Sequence, residues 1–175
     1  MPATSPGTIK ITVDLSELIR FKRGMNIKKE RVFDEAANRY KKYLHSRFIA
    51  LSAGGGGWAP LEESTIKRKQ QRKKKHGTPA SPHWILRETN QLLEGIETVP
   101  SRNGFSIGYM SRKMHHPTRD RKKSRITVAR LASIHHFGEG QKRRPIIVMP
   151  DRSTLRMMVQ AIQKKFGDIV KDSKR

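Results

Sequence analysis

The 175-residue chain has 34% hydrophobic residues and no cysteine, and 38 lysines and arginines against 15 aspartates and glutamates give a formal net charge of +23. The length favours one core over two, and the missing cysteines exclude disulfides and thiolate metal sites. We find no secretory leader and no stretch near the roughly 20 apolar residues of a membrane span. We predict one soluble domain, residues 1–175, whose surface attracts nucleic acid or acidic protein faces.

The first third of the chain predicts a strand followed by helices. Thr8 to Leu15 alternates apolar and polar residues, which is typical of a half-buried strand. Asp14 and Glu17 have the spacing of a capping box, which predicts a short helix ending near Gly24. From about Glu30 to Leu51, apolar residues recur every three or four positions and predict a long helix. Its expected buried face is Phe33, Ala36, Ala37, Tyr40, Leu44, Phe48 and Leu51.

Glycines and prolines divide the middle of the chain. The run Gly54 to Gly57 ends the long helix, and the residues after it, WAPLEES, exclude a phosphate-binding loop because no Gly-Lys-Ser/Thr follows. Pro60 suits the start of a second helix, which ends in KRKQQRKKK, so the charges complement the helix dipole. After a break at Gly77 we predict a short amphipathic helix in WILRETNQLLEGI, residues 84–96.

The rest of the chain predicts a hairpin, two helices and a connecting strand. IETVPSRNGFSIGYM, residues 96–110, favours two strands joined at SRNG, a polar connection that ends in Asn-Gly and favours a hairpin turn. ITVARLASIHHF, residues 126–137, predicts a strand that runs into a helix stopped by Gly138. RPIIVMP, residues 144–150, predicts a short strand between prolines, and Asp151 suits the cap of a last helix. The apolar stripe of that helix is Leu155, Met158, Val159, Ile162, Phe166 and Ile169.

These elements together predict an α+β fold: a small antiparallel sheet packed with one long helix and a C-terminal helix, with extended basic arms and loops. The single domain divides into an N-terminal strand and arm at 1–29, the long helix at 30–51, an α+β core at 52–169 with a basic insertion at 110–125, and a tail at 170–175.

Basic residues concentrate in three segments. Two segments have seven cations each, more than solubility requires of a small domain, and the second is predicted to be an exposed or disordered loop. We predict that all three contact a partner or DNA, while a merely solvated face is the alternative. The residues are Lys67, Arg68, Lys69, Arg72, Lys73, Lys74 and Lys75; Arg112, Lys113, Arg119, Arg121, Lys122, Lys123 and Arg125; and Lys142, Arg143 and Arg144.

The histidine pairs do not predict a metal or catalytic site. The adjacent His135 and His136 would point about 100° apart on a helix, and the pair His115–His116 lies among like charges that oppose a metal ion. Only Asp120 and Glu139 are near enough to supply carboxylates for magnesium. We therefore expect one packed and one surface histidine at 135 and 136, with no catalytic residue, metal or cofactor.

Five fragments occur in an informative order: WAPLEESTIKRK, ILRETNQLLEGI, FSIGY, VARLASIHHFGEG and RPIIVMP. This order resembles the tail-completion and virion-morphogenesis proteins of tailed phages, the Mu-like and lambdoid head-to-tail joining group. The resemblance extends from about Trp58 to Phe166. The matching positions are Trp58, Pro60, Leu61, Leu86, Thr89, Leu92, Gly108, Ala132, His135, Phe137, Gly138 and Pro145.

The sequence departs from that family at two places. Asn90 stands where the family usually has glycine, and asparagine still tolerates a left-handed turn. The basic insertion at 110–125 separates the Gly-Tyr strand from the histidine segment.

The resemblance implies a structural, non-enzymatic virion protein, assembled in the host cytoplasm and placed at the neck of the particle. There it would complete the tail and join it to the head as a multi-copy ring around the DNA channel. Its partners would be other neck and tail proteins, such as the tail terminator and the connector or portal-side rings, with possible contact to channel DNA and none to a membrane. The alternatives are a non-specific nucleic-acid-binding protein and, third, a basic nuclease.

The resemblance also predicts a structural role for the histidine segment. Ile134 and Phe137 would anchor the turn in the core, and Gly138 would permit the reversal. Arg144 and Pro145 would start an edge strand, where the missing donor of proline does no harm. The basic triplet 142–144 would then be available to a neighbour.

Overall fold

The computed structural model describes residues 10–14, 30–76, 81–87, 89–101, 104–110 and 126–172. It has the predicted α+β class. The elements in chain order are β1 (Lys10–Asp14), α1 (Glu30–Ser52), α2 (Glu63–His76), α3 (Gln91–Glu94), β2 (Glu97–Ser101), β3 (Gly104–Gly108), α4 (Val128–Phe137) and α5 (Arg152–Asp172).

The three strands form an antiparallel sheet in the order β1-β3-β2. The predicted first strand and the predicted hairpin are both confirmed. Ile107 of the central strand stands opposite Ile11 on one side and Thr98 on the other. Phe105 and Ile107 are fully buried, so β3 brings the apolar centre of the sheet to the core.

Helix α1 packs against both the sheet and α5. Its predicted buried face is confirmed, with Leu51 half-buried at its end and the other members almost entirely buried. Phe48 meets Trp58 edge to face, with ring centroids 5.1 Å apart, a favourable arrangement for two aromatic rings. The long helix therefore forms the centre of the core.

Helix α5 begins as predicted, because the Asp151 carboxylate accepts a hydrogen bond from the Thr154 backbone N–H at 2.7 Å. Its predicted stripe is partly wrong. Met158, Ile162 and Phe166 are buried, but Leu155 and Val159 are 40% and 44% exposed. The helix is rotated so that Thr154 and Ala161 also face the core. The side chain of Ile169 is not among those described.

The predicted helix at 84–96 is wrong in extent, since only Gln91–Glu94 is helical. Leu86 and Asn90 have φ values of 57° and 55°, in the left-handed region that interrupts a right-handed helix. The left-handed turn expected at Asn90 is therefore present. The second helix begins at Glu63 rather than at Pro60.

The predicted strand before α4 is also wrong. Thr127 is extended, and its hydroxyl accepts a hydrogen bond from the Arg130 backbone N–H at 3.1 Å, so it caps the helix. Asp14 ends β1, while Glu17 of the predicted capping box, the short helix to Gly24 and residues 111–125 of the basic loop lie outside the described residues. None of the helices in the described ranges is long and apolar enough to cross a membrane.

Replacing Phe48 with alanine should lower the free energy of unfolding by about 3–5 kcal/mol, because the substitution removes a buried ring and leaves a cavity. Chemical denaturation measures this change. Lys42→Ala, at an exposed position of the same helix, is the control and should change stability by less than about 0.5 kcal/mol. Equal stability of the two variants would contradict the packing of α1.

Candidate functional site: a cationic groove

The segment 144–148 between α4 and α5 is not the predicted edge strand. Side chains satisfy its backbone in place of a neighbouring strand. The carbonyl oxygen of Pro145 accepts hydrogen bonds from Trp58 Nε1 and Arg47 Nη1, both at 3.2 Å. The Tyr40 hydroxyl donates to the Val148 carbonyl at 2.6 Å. The segment is thereby attached to α1 and to the chain just after it.

His136 completes this set of contacts. Its Nδ1 accepts hydrogen bonds from the backbone N–H groups of Ile146 and Ile147 at 3.2 and 3.4 Å. Burial, and then the nearby Arg143, lower the pKa of His136, which favours the neutral ring that such acceptance needs. The packed histidine is thus confirmed, while His135 is half-buried and its Nδ1 lies 2.7 Å from Gln141 Nε2.

Gly138 ends α4 as predicted, with a φ of 80°. An added Cβ there would lie 3.0 Å from both Arg143 Cβ and the Gln141 carbonyl oxygen, so glycine is required for the close turn. Phe137 does not anchor this turn in the core, because it is 59% exposed. Helix α4 instead turns Ala132, Ser133 and His136 inward, and Ile134 is only half-buried.

A groove with a volume of about 520 Å³ lies among the start of α2, the turn before α3, and the end of α4 with the residues that follow it. This is within the size range of pockets that hold small ligands. Half of the positions in the family resemblance line it. These are Pro60, Leu61, Leu86, Thr89, Leu92 and His135.

The other positions of the resemblance are not among the residues that line the groove. The Trp58 indole N–H donates a hydrogen bond to the Pro145 carbonyl, Ala132 is fully buried in α4, and Gly108 ends β3. Gly138 makes the turn after α4, and Phe137 faces outward. Six of the twelve positions therefore share one groove, although they come from three segments that are far apart in sequence.

Positive charge collects at the groove. Arg68, Lys69, Lys142 and Arg144 line it, and Glu62 is the carboxylate among its lining residues. Lys69 Nζ donates to the Trp84 carbonyl at 2.5 Å, which fixes α2 to the segment before α3. The four cations come from two of the predicted basic segments, so the structure brings these segments together.

Arg144 is not exposed, although the sequence predicts that all three residues of the basic triplet 142–144 are available to a neighbour. Its side chain is only 7% exposed, and its guanidinium donates to the carbonyls of Ala59 and Lys142 at 3.3 and 3.4 Å. Burial lowers its pKa. Lys142 and Arg143 are exposed as predicted, although Arg143 Nε also donates to the His136 carbonyl.

The remaining predicted contact residues are distributed as follows. Lys67 and Arg68 are exposed on α2, and Lys67 pairs with Glu63 at 3.1 Å. The backbone of residues 72–75 continues α2 to His76, and nothing is described of their side chains. Arg112, Lys113, Arg119, Arg121, Lys122, Lys123 and Arg125 lie outside the described residues.

Sequence reasoning missed the side chains that fix this site from a distance. Tyr40 was expected only as a core residue, and Arg47 was not singled out. Leu131 and Gln141 of the groove lining were also missed. The helical period could place Tyr40 in the core, but no local signal shows that its hydroxyl bonds a carbonyl more than a hundred residues later.

Within the described ranges, no three histidine, aspartate or glutamate side chains are grouped to hold a metal ion. Comparisons with known proteins found no matching family model, no significantly similar curated protein and no significantly similar solved structure. The function must therefore be argued from the chain itself.

His136 should make stability depend on pH. Because folding lowers its pKa, the unfolded chain takes up the proton first. The stabilisation is complete above the ordinary histidine pKa of about 6.5 and is lost as the pH falls through the lower folded-state value. We expect His136→Asn, whose Oδ1 can accept the same hydrogen bonds without titrating, to flatten this dependence.

Urea denaturation at several values between pH 7 and pH 5 measures how the free energy of unfolding depends on pH. Uptake of one proton on unfolding contributes at most about 1.4 kcal/mol per pH unit to this dependence. His45 also has a lowered pKa, caused by burial and by Lys41, so His45→Gln is the matched control and should keep the contribution of His136. Identical pH slopes for wild type and His136→Asn would show that His136 does not titrate in this way.

Proposed function

We propose that the chain is a structural protein of a tailed-phage virion that completes the tail and joins it to the head, acting at the neck as a multi-copy ring. The observation that supports this most is spatial. Leu61, Leu86, Thr89, Leu92 and His135, which come from three fragments of the resemblance, line one groove. This shared surface supports a common role for the fragments.

The lining of the groove is suited to contact rather than to reaction. Glu62 is the carboxylate among the lining residues, and the His135 ring is bonded to Gln141. The described lining thus offers leucines and cations, without a nucleophile paired to a base. This supports the structural function over the nuclease alternative.

The net charge of +23 supports a location of the protein beside dense negative charge. A ring would bring the cations of every copy together, and their mutual repulsion requires acidic protein faces or DNA nearby. Lys69, midway along helix α2, fixes the helix to the Trp84 carbonyl, and the helix continues to His76. The basic block at its end therefore has a defined direction, which favours contact with protein for this block.

The alternative function, non-specific nucleic-acid binding, is supported by the net charge of +23. The two functions predict different behaviour. A nucleic-acid-binding protein would bind any DNA with strong salt dependence and without other virion proteins. A neck protein would need tail or connector proteins for stable binding.

The function is tested in a phage that encodes this chain by the triple variant Lys73→Glu, Lys74→Glu and Lys75→Glu. We expect filled heads and complete tails to accumulate separately, because the reversed charges would repel the acidic partner. Electron microscopy of lysates and infectious titre measure the effect, and a titre loss of at least about a hundredfold is expected because like charges facing each other at an interface disfavour association.

The matched control reverses three exposed lysines of α5, Lys164, Lys165 and Lys171, and should give joined particles. Mass spectrometry of purified wild-type particles should detect the chain itself. Absence of the chain from particles, or joined particles at normal titre from the Lys73–Lys75 variant, would overturn the respective part of the proposal.

A further inference from the structure

Arg144 is a nearly buried cation in the lining of the groove, with only 7% of the residue exposed. The two long hydrogen bonds of its guanidinium go to neutral carbonyls. Its Nε has no partner. In the part of the chain that the structure describes, no carboxylate pairs with it. Burying an unpaired charge is costly, so a bound anion would be favourable here.

The groove around Arg144 contains two further cations with exposed side chains, Arg68 and Lys142. Against these three cations the lining has one carboxylate, Glu62, which is itself exposed. The groove therefore attracts a negatively charged group, and planar guanidinium groups can bind a carboxylate or a phosphate through two parallel hydrogen bonds.

The lining also has an apolar part. Pro60, Leu61, Leu86, Leu92 and Leu131 all contribute to it. A surface of this kind binds an aliphatic side chain by removing it from water. A free inorganic anion would make no contact with these apolar residues. An extended peptide can place both a carboxylate and an apolar side chain in the groove.

We propose that the groove binds an extended segment of a neighbouring protein in which acidic residues alternate with aliphatic ones. A carboxylate of the segment lies beside Arg144 and Lys142, and an aliphatic side chain lies against the leucines. This inference rests on the proposed function, in which the neighbour is another virion protein, and it names the chemistry of the contact.

Nucleic acid fits the described lining less well. Phosphates would match the cations, but a polynucleotide has no aliphatic group for the leucines, and none of the lining residues is a phenylalanine, tyrosine or tryptophan that could stack a base. The nearby Trp84 is already covered by the guanidinium of Arg87, 4.2 Å from its ring.

The experiment uses the full chain and fluorescein-labelled seven-residue peptides at about 0.15 M salt, where long-range attraction is screened. The main probe alternates leucine and aspartate. One control replaces aspartate by asparagine and another replaces leucine by serine. We expect anisotropy titrations to show at least tenfold weaker binding of each control peptide than of the leucine–aspartate peptide.

Two charge-reversal pairs locate the binding. Arg68→Glu with Lys142→Glu should weaken the leucine–aspartate peptide at least tenfold. Arg152→Glu with Arg156→Glu changes the net charge equally at exposed positions of α5 and should weaken it by no more than twofold. All four positions are exposed, so both variants should keep the wild-type melting temperature.

Several outcomes would overturn the inference. These are no detectable binding of the leucine–aspartate peptide at millimolar concentration, equal loss in both variant pairs, or equal binding of the serine and leucine peptides. Displacement of the peptide by an oligothymidine of equal charge at lower concentration would assign the groove to nucleic acid instead. If the peptide does not bind but the chain is found at the neck of particles, the peptide-binding groove is wrong and the proposed function stands.

Discussion

The backbone of segment 144–148 has polar groups that no neighbouring strand satisfies, and the rest of the site depends on how they are satisfied. A buried N–H or C=O without a partner costs about 1–3 kcal/mol, so each requires a donor or acceptor. His136 accepts from two N–H groups of the segment. Tyr40, Arg47 and Trp58 donate to its carbonyls. This arrangement attaches the end of α4 to α1 without any strand pairing.

The groove follows from this attachment. The Arg144 backbone N–H donates to the His135 carbonyl at 2.7 Å, and its side chain reaches the Ala59 carbonyl just before α2. Lys69 joins α2 to Trp84 in the same way. Segment 144–148 and the side chains of Arg144 and Lys69 therefore hold together the parts of the chain that line the groove. Arg144 and Lys69 also line the groove, so the side chains that build the groove contribute to its positive charge.

Local patterns predicted the elements that local physics determines. The period of α1, the Asn-Gly hairpin, the cap at Asp151 and the left-handed residues Asn90 and Gly138 were all apparent in the sequence, because each depends on neighbours within a few positions. The α+β class follows from these elements. The sequence showed the excess of positive charge but not that cations from two separate segments meet at one groove.

What could not be predicted depends on distant partners. An apolar run between prolines has the same pattern whether a strand or a set of side chains satisfies it, and the donors to segment 144–148 lie 87, 98 and 108 residues away in sequence. The rotation of α5, which exposes Leu155 and Val159, is likewise set by its contact with α1. Phe137 was misplaced because its position in the core was taken from the family resemblance, whereas α4 turns Ala132, Ser133 and His136 inward.

The account is tested most directly by photocrosslinking in assembled particles, with benzoylphenylalanine in place of Lys142 at the rim of the groove and, in a second preparation, in place of Arg152 on α5. Mass spectrometry then identifies the crosslinked partner. The account predicts that position 142 crosslinks to an acidic and aliphatic segment of another virion protein, while position 152 does not crosslink to that segment. Crosslinks from position 142 to DNA alone, or to the same segment equally from both positions, would contradict it.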